Sequence, residues 1–156
     1  MKTKCILGFG GMFLIASLLS VFLAEGFERL PIIGGESIGP AKLGMTEAEI
    51  KALNTQDSPC PVEAIFQDGR AVELRTSWGG GCATPEGMTA STYGVSFLKS
   101  LYGNQEAIKE EKEHYEKVTA DWWYYYKLGL AFRVMYTEDR QSIVQMIAVI
   151  PNGTSL

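Results

Sequence analysis

The chain has 156 residues, 14 Lys and Arg against 18 Asp and Glu, and a formal net charge of −4. That length holds one domain, or two small repeats around a shared core. The acidic balance leaves no basic surface to neutralise phosphates and argues against nucleic-acid binding, while 46% apolar and 11% aromatic residues exclude a disordered chain.

Residues 1–25 differ in composition from the rest. Lys2 and Lys4 precede an uncharged run from Cys5 to Ala24, which ends at Glu25. As a helix, such a run would cover about 30 Å, the depth of a bilayer core. Ala24-Glu25-Gly26 also offers the small-x-small cleavage site that ends a secretory signal. Two expectations follow: a transmembrane anchor that tethers the chain through residues 5–24, or a signal peptide. In either case the positive end stays in the cytoplasm, and the remainder is extracytoplasmic, on the periplasmic side of a membrane or secreted. Cys5 reads as an ordinary apolar residue of this run.

Residues 26–36 read as a linker, Phe-Glu-Arg-Leu-Pro and then Ile-Ile-Gly-Gly. A first α/β unit is expected over residues 37–81. Its opening, from Ser37, is extended and breaks at Leu43-Gly44-Met45. Thr46 and Glu49 form a T-x-x-E capping box for a helix from Glu47 to Leu53, with Ile50 and Leu53 on one face. Asn54 to Pro59 is a run of turn formers that stops it. Val62, Ala64 and Phe66 alternate toward one side of a strand, and Asp68-Gly69 signals a hairpin. The return strand places Val72, Leu74, Thr76 and Trp78 on one face and Glu73 and Arg75 on the other. Gly79-Gly80-Gly81 lacks a following Lys-Ser/Thr and reads as a linker rather than a phosphate cradle.

Once export is granted, Cys60 and Cys82 are the only pair beyond the apolar run, in an oxidising compartment. A disulfide between them would close a loop of about 20 residues and stabilise the fold by roughly 3 kcal/mol on the chain-entropy model. A metal role lacks the neighbouring Cys or His that zinc spacing requires.

A second α/β unit is expected over residues 82–151, with 152–156 as a tail. Thr84-Pro85-Glu86-Gly87-Met88 leads to a helix begun near Ser91 and closed by Gly103. Gln105 to Lys117 is crowded with charge and reads either as a solvated helix or as the approach to a strand. Trp122-Trp123-Tyr124-Tyr125-Tyr126 favours a strand. In that strand Trp122, Tyr124 and Tyr126 point to one face, and Trp123 and Tyr125 to the other. Gly129 marks a turn, after which Leu130, Phe132, Val134 and Tyr136 share a face. Thr137 to Arg140 turns the chain again, and Ser142 to Ile150 is apolar on both parities, as in a strand covered on both sides. A helix followed by successive antiparallel strands gives an α+β layer arrangement.

Gly-Met, a hydroxyl cap, a short amphipathic helix and apolar strands thus occur twice. Ile38-Gly39, Leu43-Gly44-Met45-Thr46 and Glu49-Ile50 carry the first copy. The second is carried by Thr84, Gly87-Met88, Tyr102-Gly103, Gly129-Leu130, Phe132, and Val144 with Ile147. Over most of residues 37–150 this pattern resembles the tandem-repeat fold of the beta-lactamase inhibitory protein, and is similar to the small protein A type of outer-membrane assembly lipoproteins. The resemblance implies a helix-plus-antiparallel-sheet unit used twice, in a non-enzymatic exported protein that binds other proteins. Two departures stand out: the first unit is short, and no lipid-attachment cysteine follows the apolar run.

Little in the chain suggests catalysis. His114, the single histidine, lies in Glu110-Glu111-Lys112-Glu113-His114. In a helix Glu110 and His114 would share a face, but no further metal ligands or nucleophile can be assigned, and the run reads as a solvated charged surface. Glu47 with Glu49, and Glu138 with Asp139, sit at caps and turns, where carboxylates serve structure. Asn152-Gly153-Thr154 is a glycosylation sequon, usable only in a host that glycosylates asparagine. No metal or cofactor is expected. The residues with most functional promise are Trp122, Trp123, Tyr124, Tyr125 and Tyr126, because Trp and Tyr presented on a rigid sheet anchor protein interfaces. The expected function is a membrane-tethered or secreted, inhibitor-like protein-binding module whose partner is another extracytoplasmic protein. The alternatives are a structural envelope protein without a dedicated ligand, and a hydrolase.

Overall fold

The computed structural model describes residues 29–53, 58–77, 81–111, 118–137 and 141–153. The anchor-or-signal segment, His114, Trp78, Gly79-Gly80, the Glu138-Asp139 pair and the sequon's Thr154 lie outside the described residues. Among the described residues no helix is long and apolar enough to cross a membrane.

The fold is α+β. In chain order it runs β1 (Leu30–Ile33), β2 (Ser37–Ile38), β3 (Ala41–Lys42), α1 (Glu47–Leu53), β4 (Glu63–Gln67), β5 (Arg70–Ser77) and β6 (Cys82–Ala83). There follow β7 (Thr92–Tyr93), α2 (Val95–Tyr102), β8 (Ala107–Glu111), β9 (Thr119–Tyr125), a 3-10 turn (Tyr126–Leu128), β10 (Leu130–Tyr136) and β11 (Ser142–Val149). A small sheet of four strands has the order β3-β2-β1-β6, and a large one of seven has the order β4-β5-β11-β10-β9-β8, with β7 also paired to β11.

The stretch expected as a linker, residues 26–36, instead supplies β1, with Ile32 fully buried. Ile32 and Ile33 are β-favouring, and partners on both sides complete the strand: Ile32 faces Ile38 in antiparallel register and Leu30 pairs with Cys82. Strands of the two expected units interleave. β1 pairs in parallel with β6, and β5 pairs with β11 in the middle of the large sheet.

Helix α1 begins where the capping box places it. The Thr46 amide donates to Glu49 Oε2 at 2.8 Å, and the Glu49 amide donates to Thr46 Oγ1 at 3.4 Å. Gly44, at φ 83, lets the chain turn so that its amide reaches the Ala71 carbonyl at 2.7 Å, and Ala71 N–H returns to the Met45 carbonyl at 2.8 Å. These bonds tie the start of α1 to β5. Helix α2 starts later than expected, at Val95 rather than near Ser91. Thr92-Tyr93 is held on β11 as β7, and Gly94 supplies no side-chain cap. Ser142 Oγ accepts the Val95 amide at 2.9 Å in its place. Gly103 closes α2 at φ 74, its N–H donating to the Lys99 carbonyl at 2.8 Å.

Asp68 and Gly69 both have positive φ, 50° and 73°, as the hairpin signal requires. A register shift beside Phe66 pairs that residue with Ala71, so Ala71 is buried where strict alternation puts Val72. The charged run after Gln105 resolves into the edge strand β8, its charges suited to an unpaired edge. The antiparallel run β9-β10-β11 has the expected inward positions: Leu130, Phe132, Val134, Val144, Ile147 and Val149 are all buried.

One continuous core joins these inward residues to Ile50 of α1, Leu98 of α2, Ile32 and Ile38 of the small sheet, Met88, and Trp123 and Tyr125 of β9. Helices and small sheet therefore cover one face of the large sheet. Gly129, at φ 64, is pinned between Gly35 and Asn152, and an added Cβ would collide with both. Gly35 N–H donates to the Gly129 carbonyl at 3.0 Å and Ile150 N–H to the same oxygen at 3.0 Å. This knot fixes the tip of the β1-β2 hairpin to the β9-β10 turn.

Candidate functional site

Alternation along β9 sends Trp123 and Tyr125 into the main core and Trp122, Tyr124 and Tyr126 to the other side of the sheet. The five aromatic residues are thus divided between two surfaces. Tyr125 lies edge-on to Phe132 at 5.7 Å and its hydroxyl donates to the Gly103 carbonyl at 3.2 Å. Trp123 has the Lys99 ammonium 5.4 Å above its ring. Both serve to seat α2 on the sheet, and neither is available for contact.

Among the described residues the opposite side is the open face, since their helices and small sheet cover only the first. Cross-strand register builds its rows. Ser77, Met146, Arg133, Trp122 and Lys109 follow one another across β5, β11, β10, β9 and β8. Arg75, Ala148, Ala131, Tyr124 and Ala107 form the next row. Ala131 and Ala148 give a floor low enough for large neighbours, and Trp122, Met146 and Ile150 pack around it in a second apolar cluster.

Trp122 is buried in this cluster at 6% exposure and held from several directions. Its indole N–H donates to Glu111 Oε2 at 2.9 Å, and Arg133 Nε donates to the same oxygen at 2.8 Å. Arg75 lies 4.9 Å over the indole ring, itself oriented by Glu73 through a 2.6 Å bond from Nε to Oε1. The hydrogen bond from Arg133 and its charge hold the Glu111 carboxyl below the usual carboxylate range, with the Trp122 and Arg75 contributions in the same direction. Burial pushes the Tyr124 hydroxyl up, reinforced by the nearby Glu73 carboxylate.

Tyr124 and Tyr126 are half-buried and stack on each other, centroids 5.3 Å apart and planes 16° from parallel, with Trp122 on the far side of Tyr124 at 6.4 Å. Their facing ring surfaces are therefore occupied by one another. Clefts on this side are lined by Arg75, Ser77, Trp122, Arg133, Gln145 and Met146 (about 350 Å³), by Arg75, Lys109, Glu111, Trp122 and Tyr124 (about 190 Å³), and by Ala107, Ile108, Lys109, Tyr124 and Tyr126 (about 320 Å³). Exposed Ile65 of β4 and Ile108 of β8 stand at the two edges of the large sheet.

Sequence reasoning placed the aromatic strand and its alternation but missed the polar frame around Trp122. Glu73 and Arg75 were legible as outward residues of β5. Arg133, only 5% exposed, and Glu111 were not, because their partnership depends on β8, β9 and β10 lying side by side.

On the covered side, Tyr102 donates to Glu86 Oε2 at 2.8 Å and shares a hydrogen bond with Thr84 Oγ1, which also accepts the Met88 amide at 3.2 Å. That network staples the Thr84–Met88 turn to α2. Cys60 and Cys82 form a disulfide with Cα atoms 5.6 Å apart, tying the segment before β4 to the small sheet. A bond of this kind is characteristic of oxidising, extracytoplasmic compartments. Among the described residues no group of three or more His, Cys, Asp or Glu side chains is arranged to hold a metal ion.

No family model matches the chain, no curated protein shows significant similarity to it, and no solved structure matches its fold.

Proposed function

We propose that the chain is an exported, non-catalytic protein-binding module that engages another extracytoplasmic protein through the open face of its large sheet. The observation that carries this reading is the treatment of Trp122. A bulky aromatic on an uncovered face is fixed by Glu111, Arg133 and Arg75, and Tyr124 and Tyr126 are stacked beside it as a rigid, half-exposed ridge. Rigid aromatics beside arginines lose little entropy on association and are the residue types that dominate interface energetics.

The reading extends to the two Gly-Met stretches. Each is followed by a short helix tied by backbone bonds to a strand of the large sheet, Gly44-Met45 to β5 and Ser91 and Gly94 to β11. This supports a duplicated helix-on-sheet unit of the kind resembled by the beta-lactamase inhibitory protein. On that reading the partner is an enzyme to be inhibited or a component of envelope assembly. The chain would be secreted, or held at the periplasmic surface of a membrane through residues 5–24.

Pull-down from envelope extract with Tyr124→Ala and Tyr126→Ala tests the proposal, with Phe97→Ser on exposed α2 as the control. Loss of the partner in the tyrosine variants with unchanged melting supports it. Equal recovery from all three overturns it, in favour of a structural envelope protein.

A further inference from the structure

We infer that the trough around Arg75 receives an acidic side chain of the partner protein. This rests on the reading of the open face as a protein-binding surface and names the chemistry at its centre.

The chain as a whole is acidic, with a net charge of −4, yet the cations Arg75, Lys109 and Arg133 gather around Trp122. Two carboxylates answer them. Glu111 takes Arg133, and Glu73 takes only the Nε of Arg75. Among the described residues the terminal nitrogens of Arg75 have no partner, and Lys109 makes no ion pair. Lys109 sits opposite Trp122 in the β8-β9 register, so Lys109 and the outer end of the Arg75 guanidinium line one cleft with Tyr124. Glu110 and Glu111 line the same cleft, Glu111 already engaged by Arg133 and Trp122. Arg75 is already oriented by Glu73 and by the indole beneath it, so its remaining donors form a prepared fork for a carboxylate.

A carboxylate carried on a chain segment, rather than a free anion, fits this face because Trp122, Tyr124 and Met146 beside Arg75 offer apolar contact to the residues flanking it.

The test titrates the isotopically labelled full chain in zwitterionic detergent with acetyl-Leu-Glu-Leu-amide, acetyl-Leu-Gln-Leu-amide and sodium acetate. The readout is the indole N–H resonance of Trp122, with that of core-buried Trp123 as internal reference. The glutamate peptide is expected to shift Trp122 saturably and leave Trp123 in place. Affinity should be about tenfold weaker for the glutamine peptide and about tenfold weaker in Arg75→Gln, the change expected for one charge-assisted pair. Lys109→Gln, on an exposed side chain, should weaken it by a smaller factor and leave folding intact. Equal binding of the two peptides, no Trp122 shift, or acetate binding as tightly as the glutamate peptide would each overturn the inference. A partner captured through Tyr126 whose capture survives Arg75→Gln and Lys109→Gln would remove this inference and leave the binding face standing. No capture through Tyr126 would remove the binding face itself.

Discussion

Replacing Glu111 by alanine removes the one carboxylate oxygen that accepts from both Trp122 and Arg133. The consequences for the two donors differ. Glu111 is 46% exposed, so water can take over much of its role toward the indole N–H. The Arg133 side chain is only 6% exposed and cannot be rehydrated so easily. A hydrogen bond to a charged group contributes about 1.5–3 kcal/mol. With partial solvent access to the acceptor side, a loss of about 2 kcal/mol is expected at neutral pH. Urea unfolding with the disulfide intact measures it; for an m-value of about 2 kcal/mol/M the midpoint should fall by about 1 M. Because Arg133 holds the Glu111 carboxyl low, this contribution is present above the unfolded-state value and is lost as pH falls through the folded one. The alanine variant should therefore lose part of the wild type's acid sensitivity. Pairing Glu111→Leu with Arg133→Met should restore part of the stability, since apolar side chains of similar volume then replace the ion pair. If Glu111→Ala unfolds at the same midpoint as the neighbouring Lys109→Ala, the clamp on Trp122 does not exist as described.

Trp123→Ala should destabilise by about 3–5 kcal/mol, as expected of a buried indole, whereas Tyr126→Ala, half-buried on the open face, should cost about 1 kcal/mol or less; paired thermal melts check the contrast. Gly129→Ala should cost more than the roughly 1–2 kcal/mol of its left-handed backbone, because the new methyl also meets Gly35 and Asn152; chemical denaturation should show a loss beyond that range. Reduction of Cys60–Cys82, which spans 22 residues, should lower stability by about 3 kcal/mol, seen as a lower midpoint in reductant than without it.

The parts of this fold that were legible in the sequence are those decided by neighbours along the chain. The Thr46–Glu49 box, the Asp68-Gly69 hairpin, Gly103 after α2 and the inward residues of β10 and β11 depend on local geometry and period, and the fold follows them. What was not legible depends on partners far away in sequence. β1 reads as a linker until Ile38 and Cys82 are placed beside it. The start of α2 is displaced because β11 claims Thr92-Tyr93 and lends Ser142 as a cap. A shift of register beside Phe66 exchanges Val72 for Ala71 without any mark in the residues themselves. For the site, alternation along β9 divided the aromatic residues into two sets. It could not tell that Trp122 would be enclosed by Arg75, Glu111 and Arg133 while Tyr124 and Tyr126 stayed half-exposed.

Photo-cross-linking in the intact envelope is the most direct test of the open face as the contact surface. A photoreactive residue at Tyr126 and another at Phe97 of α2 place the same chemistry on opposite sides of the large sheet. The binding-module account predicts one discrete adduct from Tyr126, reduced by Tyr124→Ala, and none of that mass from Phe97. Adducts of the same kind from both positions, or from Phe97 alone, would contradict it.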